Sequence, residues 1–173
     1  MSRDLAANTA AQYAANHVNP IIFVKLEFDT GAPNSTGTIR LHNGLGTYVW
    51  DDGSGNQQWY GTGDLGQISA IEEGDEISPY SIELTLSGID SQIAAEAARE
   101  TYYQRPVTLY IGALNASDTL VATPDVIWTG FIDTMDADLG GGDGDAIRVT
   151  AESELAMFER SSNYLYTNAQ QQH

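Results

Sequence analysis

The chain has 173 residues, and its 24 acidic side chains against 7 basic ones give a formal net charge of −17. That balance excludes a protein that holds nucleic acid or an anionic membrane through a basic surface, because neutralising phosphate takes clustered cations, and here a single lysine, Lys25, and scattered arginines are all there is. The absence of cysteine excludes thiolate catalysis, disulfides and Cys-ligated zinc or iron–sulfur centres.

In chain order, residues 3–17 (RDLAANTAAQYAANH) lack Gly and Pro and predict a helix whose apolar face, Leu5, Tyr13 and alanines, is thin enough to need a surface to lie on. This segment carries Arg3 and Asp4 and has no apolar core, so it does not read as a signal peptide. No run approaches the roughly 18 apolar residues that span a bilayer, so no membrane anchor is expected. Pro20 ends the helix. Residues 21–28 (IIFVKLEF) then predict a strand with Phe23, Lys25 and Glu27 on one face and Val24, Leu26 and Phe28 on the other.

From 29 to 63 the text is dense in Gly, Asn, Asp, Ser and Thr, and short strands at 38–41, 48–50 and 58–60 read as hairpins with polar turns. Further strands are predicted at 65–71 and at 81–89, the latter with Ile82, Leu84 and Leu86 on a buried face and Glu83, Thr85 and Ser87 on a polar one. Asp90 and Ser91 are N-cap residues for a second helix over about 91–104. Strands at 107–111, 126–133 and 146–151 complete the pattern. The expectation is a mostly β fold, a β-sandwich or partly open β-barrel, with an N-terminal helical arm (1–19), one domain (20–160) carrying an inserted helix, and a polar C-terminal tail (161–173).

The chemistry-bearing residues are few. His17, His42 and His173 fall at a helix end, a turn and the terminus, without a Gly-x-Ser-x-Gly elbow, and read as exposed polar histidines rather than as catalytic ones. Glu72, Glu73, Asp75 and Glu76 form an acidic cluster that reads as a solvated loop between strands. Asp136, Asp138, Asp143 and Asp145 lie in DTMDADLGGGDGD, which interleaves oxygen donors with glycines as a calcium loop does but lacks the closing Glu of an EF-hand, so a Gly-rich hairpin tip is the preferred reading. Tyr48, Trp50, Trp59 and Tyr60 cluster in the hairpin region, where aromatic side chains serve as core, as interface anchors or as a sugar-stacking platform. No catalytic group and no cofactor is expected.

The order of the pieces carries a further signal. The run YGTGDLGQISAIEEGDEISPYSIELTLSGI from Tyr60 to Ile89 places a Gly-x-Gly-x-Leu-Gly-x-Ile-Ser strand, an acidic link and a Leu-Thr-Leu-Ser-Gly-Ile-Asp strand before a helix. It is followed by Tyr102-Tyr103-Gln104-Arg105-Pro106-Val107, Leu109-Tyr110-Ile111-Gly112, Trp128-Thr129-Gly130-Phe131-Ile132-Asp133-Thr134-Met135, Ile147-Arg148-Val149-Thr150-Ala151-Glu152-Ser153, Phe158-Glu159-Arg160 and Asn163-Tyr164-Leu165-Tyr166-Thr167. This series resembles the distal-tail, hub and baseplate proteins of long-tailed phages and of related gene-transfer particles.

The resemblance implies a tail-tube-like sandwich or barrel with flanking helices. It implies a non-enzymatic part of a virion, assembled in the bacterial host cytoplasm as a threefold or sixfold ring of copies of itself. Tail-tube, hub and fibre proteins would be its neighbours, and DNA would pass through without being bound. Similar sequences continue beyond the Gln-rich stretch, so the resemblance also implies a missing or shortened C-terminal docking element. The acidic surplus then has an expected role: carboxylates of Glu72, Glu73, Asp75 and Glu76, and of the segment 136–145, would face the channel and repel phosphate. A carbohydrate-binding or receptor-binding module using Trp50, Trp59 and Tyr60 is the alternative.

Overall fold

The computed structural model describes residues 7–14, 19–29, 36–61, 81–87, 102–138 and 146–154. They form a short helix α1 (Ala7–Tyr13) and eight strands: β1 (Asn19–Asp29), β2 (Thr36–His42), β3 (Thr47–Asp51), β4 (Asn56–Gly61), β5 (Ser81–Ser87), β6 (Pro106–Leu114), β7 (Asp125–Asp138) and β8 (Ala146–Ser153). All eight belong to one sheet in the order β3-β4-β2-β1-β6-β7-β8-β5. The pairs are antiparallel except β2 with β4, which meet in parallel at Leu41 with Tyr60 and His42 with Gly61. Among the described residues β3 and β5 are end strands that do not pair with each other, so the sheet is open and the fold is mostly β, as expected.

The alternation in the sequence accounts for one core. Val24, Leu26 and Phe28 of β1, Leu41 of β2, Val107 and Leu109 of β6, and Ile82, Leu84 and Leu86 of β5 are all buried in a single cluster. It continues through Trp128, Ile132 and Met135 of β7 and Ile147, Val149 and Ala151 of β8. β7 carries two register shifts, against β6 near Ile127 and against β8 near Asp133. Each extra residue bends the strand and increases its twist, which curves a long sheet around its core. Gly130 lies between these bulges because a Cβ there would collide with the Glu152 carbonyl and the Trp128 ring.

The opposite face of the sheet carries a second core. Ile21 and Phe23 precede Val24 in β1 and point the other way, as do Tyr110 and Leu114 in β6. With Trp50 and Trp59 they form a separate buried cluster. β1 and β6 therefore bury one face at one end and the other face at the other, and the β3–β4 hairpin covers the second. Helix α1 is held to β6, where the Tyr13 hydroxyl donates to the Gly112 carbonyl at 3.0 Å. This is the surface its thin apolar face required.

The predicted strand at 65–71, and the helix over 91–104 as far as residue 101, lie outside the described residues. Residues 102–104 are a turn rather than the end of a helix, with Gln104 in the left-handed region at φ 58°.

Candidate functional site

The β3–β4 hairpin gathers the residues with the most distinctive chemistry. Its turn is built by Asp51, whose Oδ1 accepts from the N–H groups of Gly53 and Gly55, both at 2.9 Å. Both glycines sit at positive φ, 92° and 87°, where a side chain would be strained. Alternation along the two strands then sends Trp50 and Trp59 inward and Val49 and Tyr60 outward.

The inward side chains form an aromatic cluster. Trp50 and Trp59 stack with ring centroids 4.6 Å apart and planes 8° from parallel. Phe23 meets both edge-on, at 5.5 and 5.3 Å, and Tyr110 does the same from β6, at 5.0 and 5.5 Å. Tyr48 is half-buried at the rim, edge-on to His42 at 4.9 Å, and its hydroxyl donates to the Asp118 carbonyl at 3.0 Å. Burial, together with the nearby Asp118 charge, raises the Tyr48 pKa. The indole N–H groups of Trp50 and Trp59 are buried without acceptors.

Beside this cluster the hairpin tip lays Asp52 over the polar half of the same β1 face. Asp52 Oδ2 accepts from Arg40 Nε at 3.0 Å and stands 3.6 Å from Lys25 Nζ, which is itself 3.0 Å from Glu27. The Asp52 side chain is fully shielded, and those of Arg40 and Lys25 are 12% and 14% exposed. The Arg40 guanidinium also lies over the Trp59 ring, 5.9 Å from its centroid, within cation–π range. Burial opposes the Asp52 charge, but the Arg40 hydrogen bond, the Ser54 N–H and the Lys25 and Arg40 charges outweigh it and hold the carboxyl below its ordinary value. Burial likewise opposes the Lys25 ammonium, but Glu27 and Asp52 outweigh it and raise its pKa.

His42 corrects the expectation of an exposed histidine: it is 0% exposed. Its Nδ1 accepts from the Gly44 N–H at 3.0 Å, which requires that nitrogen to be unprotonated, so Nε2 carries the hydrogen and donates to the Gly46 carbonyl at 3.2 Å. The closeness of β4 here depends on Gly61, where a Cβ would strike the Gly44 carbonyl oxygen and the His42 ring. Burial lowers the His42 pKa. A folded pKa below the unfolded value of 6.5 means the unfolded chain binds the extra proton. The stability this group contributes is therefore complete above pH 6.5 and lost as pH falls through the folded value. The expected result is a decline in unfolding free energy beginning near pH 6.5, no steeper than about 1.4 kcal/mol per pH unit for one group, that diminishes in His42→Asn. Urea denaturation from pH 7.5 to 4.5 measures it, and equal slopes in both proteins would refute it.

The other predicted site residues are not brought together here. Glu72, Glu73, Asp75, Glu76, Asp143, Asp145, His17 and His173 lie outside the described residues. Asp136 and Asp138 are in strand β7, opposite Arg148 and Ala146, instead of in a loop, because the pairing with β8 continues to the end of that strand. Among the described residues no group of three or more His, Asp or Glu side chains is placed to hold a metal ion. Tyr48, Trp50, Trp59 and Tyr60 do not form one platform. Both Trp rings are consumed by stacking in the core, while Tyr60, 54% exposed, faces the other way.

No known protein family matches the sequence, and no curated protein matches it. Among solved structures, the chain is similar to one in the cryo-EM structure of the anti-feeding prophage (AFP) baseplate, 6-fold symmetrised, with 13% identity and a TM-score of 0.36 over 89% of this chain and 94% of that one.

Proposed function

We propose that the chain is a structural, non-enzymatic component of a phage-type tail tip or baseplate, acting as a ring of identical copies that joins the tail tube to the distal hub or fibre apparatus around the path of DNA. The observation that carries this reading is the serial order of the tail-tip motifs. Within the described residues the resembling segments at 84–87, 107–112, 128–135 and 147–153 are strands β5, β6, β7 and β8, four neighbours at one end of one sheet. A motif series that maps onto a contiguous part of the architecture is what shared fold and assembly would leave. The acidity is compatible with a DNA path: exposed carboxylates such as Asp136 repel phosphate rather than hold it.

The carbohydrate-binding alternative needs a free aromatic face, and Trp50 and Trp59 offer none. A reconstruction of the purified particle tests the proposal, with ring density fitted by this sheet as the expected result. Particles lacking the chain would overturn it, as would a monomer that binds glycans and loses that binding in Tyr60→Ala.

A further inference from the structure

We propose that the outward face of the β3–β4 hairpin is a docking surface for a different protein, one whose contacting surface is apolar with a basic rim; this rests on the tail-assembly reading and names a contact within it. Leu45, Val49 and Tyr60 are 82%, 58% and 54% exposed. Val49 pairs with Gln58 and Tyr60 with Thr47, so Val49 and Tyr60 are diagonal neighbours on one face, within reach of each other. Leu45 lies in the turn before β3, whose Gly46 carbonyl accepts from the Gly61 N–H at 2.8 Å at the end of β4, so a third exposed apolar side chain stands near this end of the hairpin.

The hairpin is anchored to the sheet from its inner face by Trp50, Trp59 and Asp52, so these outward side chains are not what holds it there. Packing of the inner face beneath these strands reduces the ordering entropy that opposes docking. β3 pairs only with β4 among the described residues, which leaves its far edge beside the stripe.

Charge selects the occupant. Asp51 stands exposed at the turn end of this face, and the chain as a whole carries −17. Lys25 and Arg40 are engaged by Glu27 and Asp52, and Arg148 lies 3.5 Å from Glu83. A second copy meeting this face with its own stripe would set Asp51 beside the same acid, whatever other surfaces join identical copies in a ring. A partner with Lys or Arg around its own apolar centre turns that repulsion into attraction and into faster encounter.

The test supplies either the wild-type full chain or the double variant Leu45→Ser/Val49→Glu to a host producing particles without the native copy, and counts copies per particle by quantitative mass spectrometry. Both substituted positions are exposed, so an unchanged thermal midpoint is expected. Charge buried at the centre of an interface should lower incorporation about tenfold or more. Equal incorporation of wild type and double variant would overturn the docking surface alone. Absence of the wild-type chain from particles would overturn the assembly reading and the surface with it. A purified wild-type chain that self-associates, and that the double variant renders monomeric, would overturn the heterologous occupant.

Discussion

Replacing Trp59 with alanine is expected to lower stability by about 3–5 kcal/mol, the range for removing a buried aromatic side chain. Trp59 is 0% exposed and is in ring contact with Trp50, Phe23 and Tyr110, so its loss leaves a cavity that rigid aromatic neighbours cannot collapse to fill. For a chain of this length the melting temperature should fall by about 2–4 °C per kcal/mol, which differential scanning calorimetry reads directly. A second signature separates this packing role from a ligand-stacking role. Two indoles stacked within 4.6 Å and 8° of parallel couple their transitions, so wild type should show a tryptophan exciton couplet in circular dichroism that disappears in Trp59→Ala and in Trp50→Phe. A Trp59→Ala protein with an unchanged melting temperature would place the ring outside the core and refute the cluster.

The second large effect concerns the charges beside that cluster. Asp52→Asn keeps the shape of the side chain but leaves Arg40 and Lys25, 12% and 14% exposed, facing each other without their shared anion. The expected loss is about 2–3 kcal/mol, between the small value of an exposed pair and the larger penalty for a stranded buried charge. The pH dependence has two limbs with opposite signs. The Asp52 carboxyl sits below its ordinary value of 3.8, so its contribution is present above that value and lost as pH falls through the folded pKa. The Lys25 ammonium sits above its ordinary value of 10.5, so its contribution is present below that value and lost as pH rises through the folded pKa. Asp52→Asn should flatten the acid limb below pH 3.8 while leaving the His42 limb, which begins higher, in place. The triple change Asp52→Leu/Lys25→Met/Arg40→Met, which removes the shared anion together with both cations and leaves only the partly exposed Glu27, should cost less than Asp52→Asn alone. A larger loss in the triple variant would mean that the pairing itself, rather than the stranding of cations, dominates.

What could be read from the residues divides along physical lines. The alternation of Ile82, Leu84 and Leu86, and of Val24, Leu26 and Phe28, is a local property of strands and predicted which side chains share a face; that the two sets meet in one core is the work of the sheet. The same rule placed Phe23 with Lys25 and Glu27 on the opposite face. That geometry is right, but a hairpin distant in sequence covers one end of the face, burying Phe23 under Trp50 and Trp59 and leaving Lys25 for Asp52. His42 gave no warning of its burial, because the turn that shields it is polar and its partners are backbone atoms of Gly44 and Gly46. The one available signal was Lys25 itself, the sole lysine, set inside an apolar strand where a solitary cation needs an anion.

The sequence by itself determined that the chain is mostly β, strongly acidic and without basic clusters for phosphate, because composition and a period of two residues are carried by each segment alone. It also supplied the ordered motifs behind the tail-tip reading. Only the tertiary structure decided which aromatic residues are core and which are surface, since that depends on how the β3–β4 hairpin folds over β1 and β6. Trp50 and Trp59 became packing while Val49 and Tyr60 became the face left for a partner, because a strand pair closed onto a sheet can bury only one of its two sides.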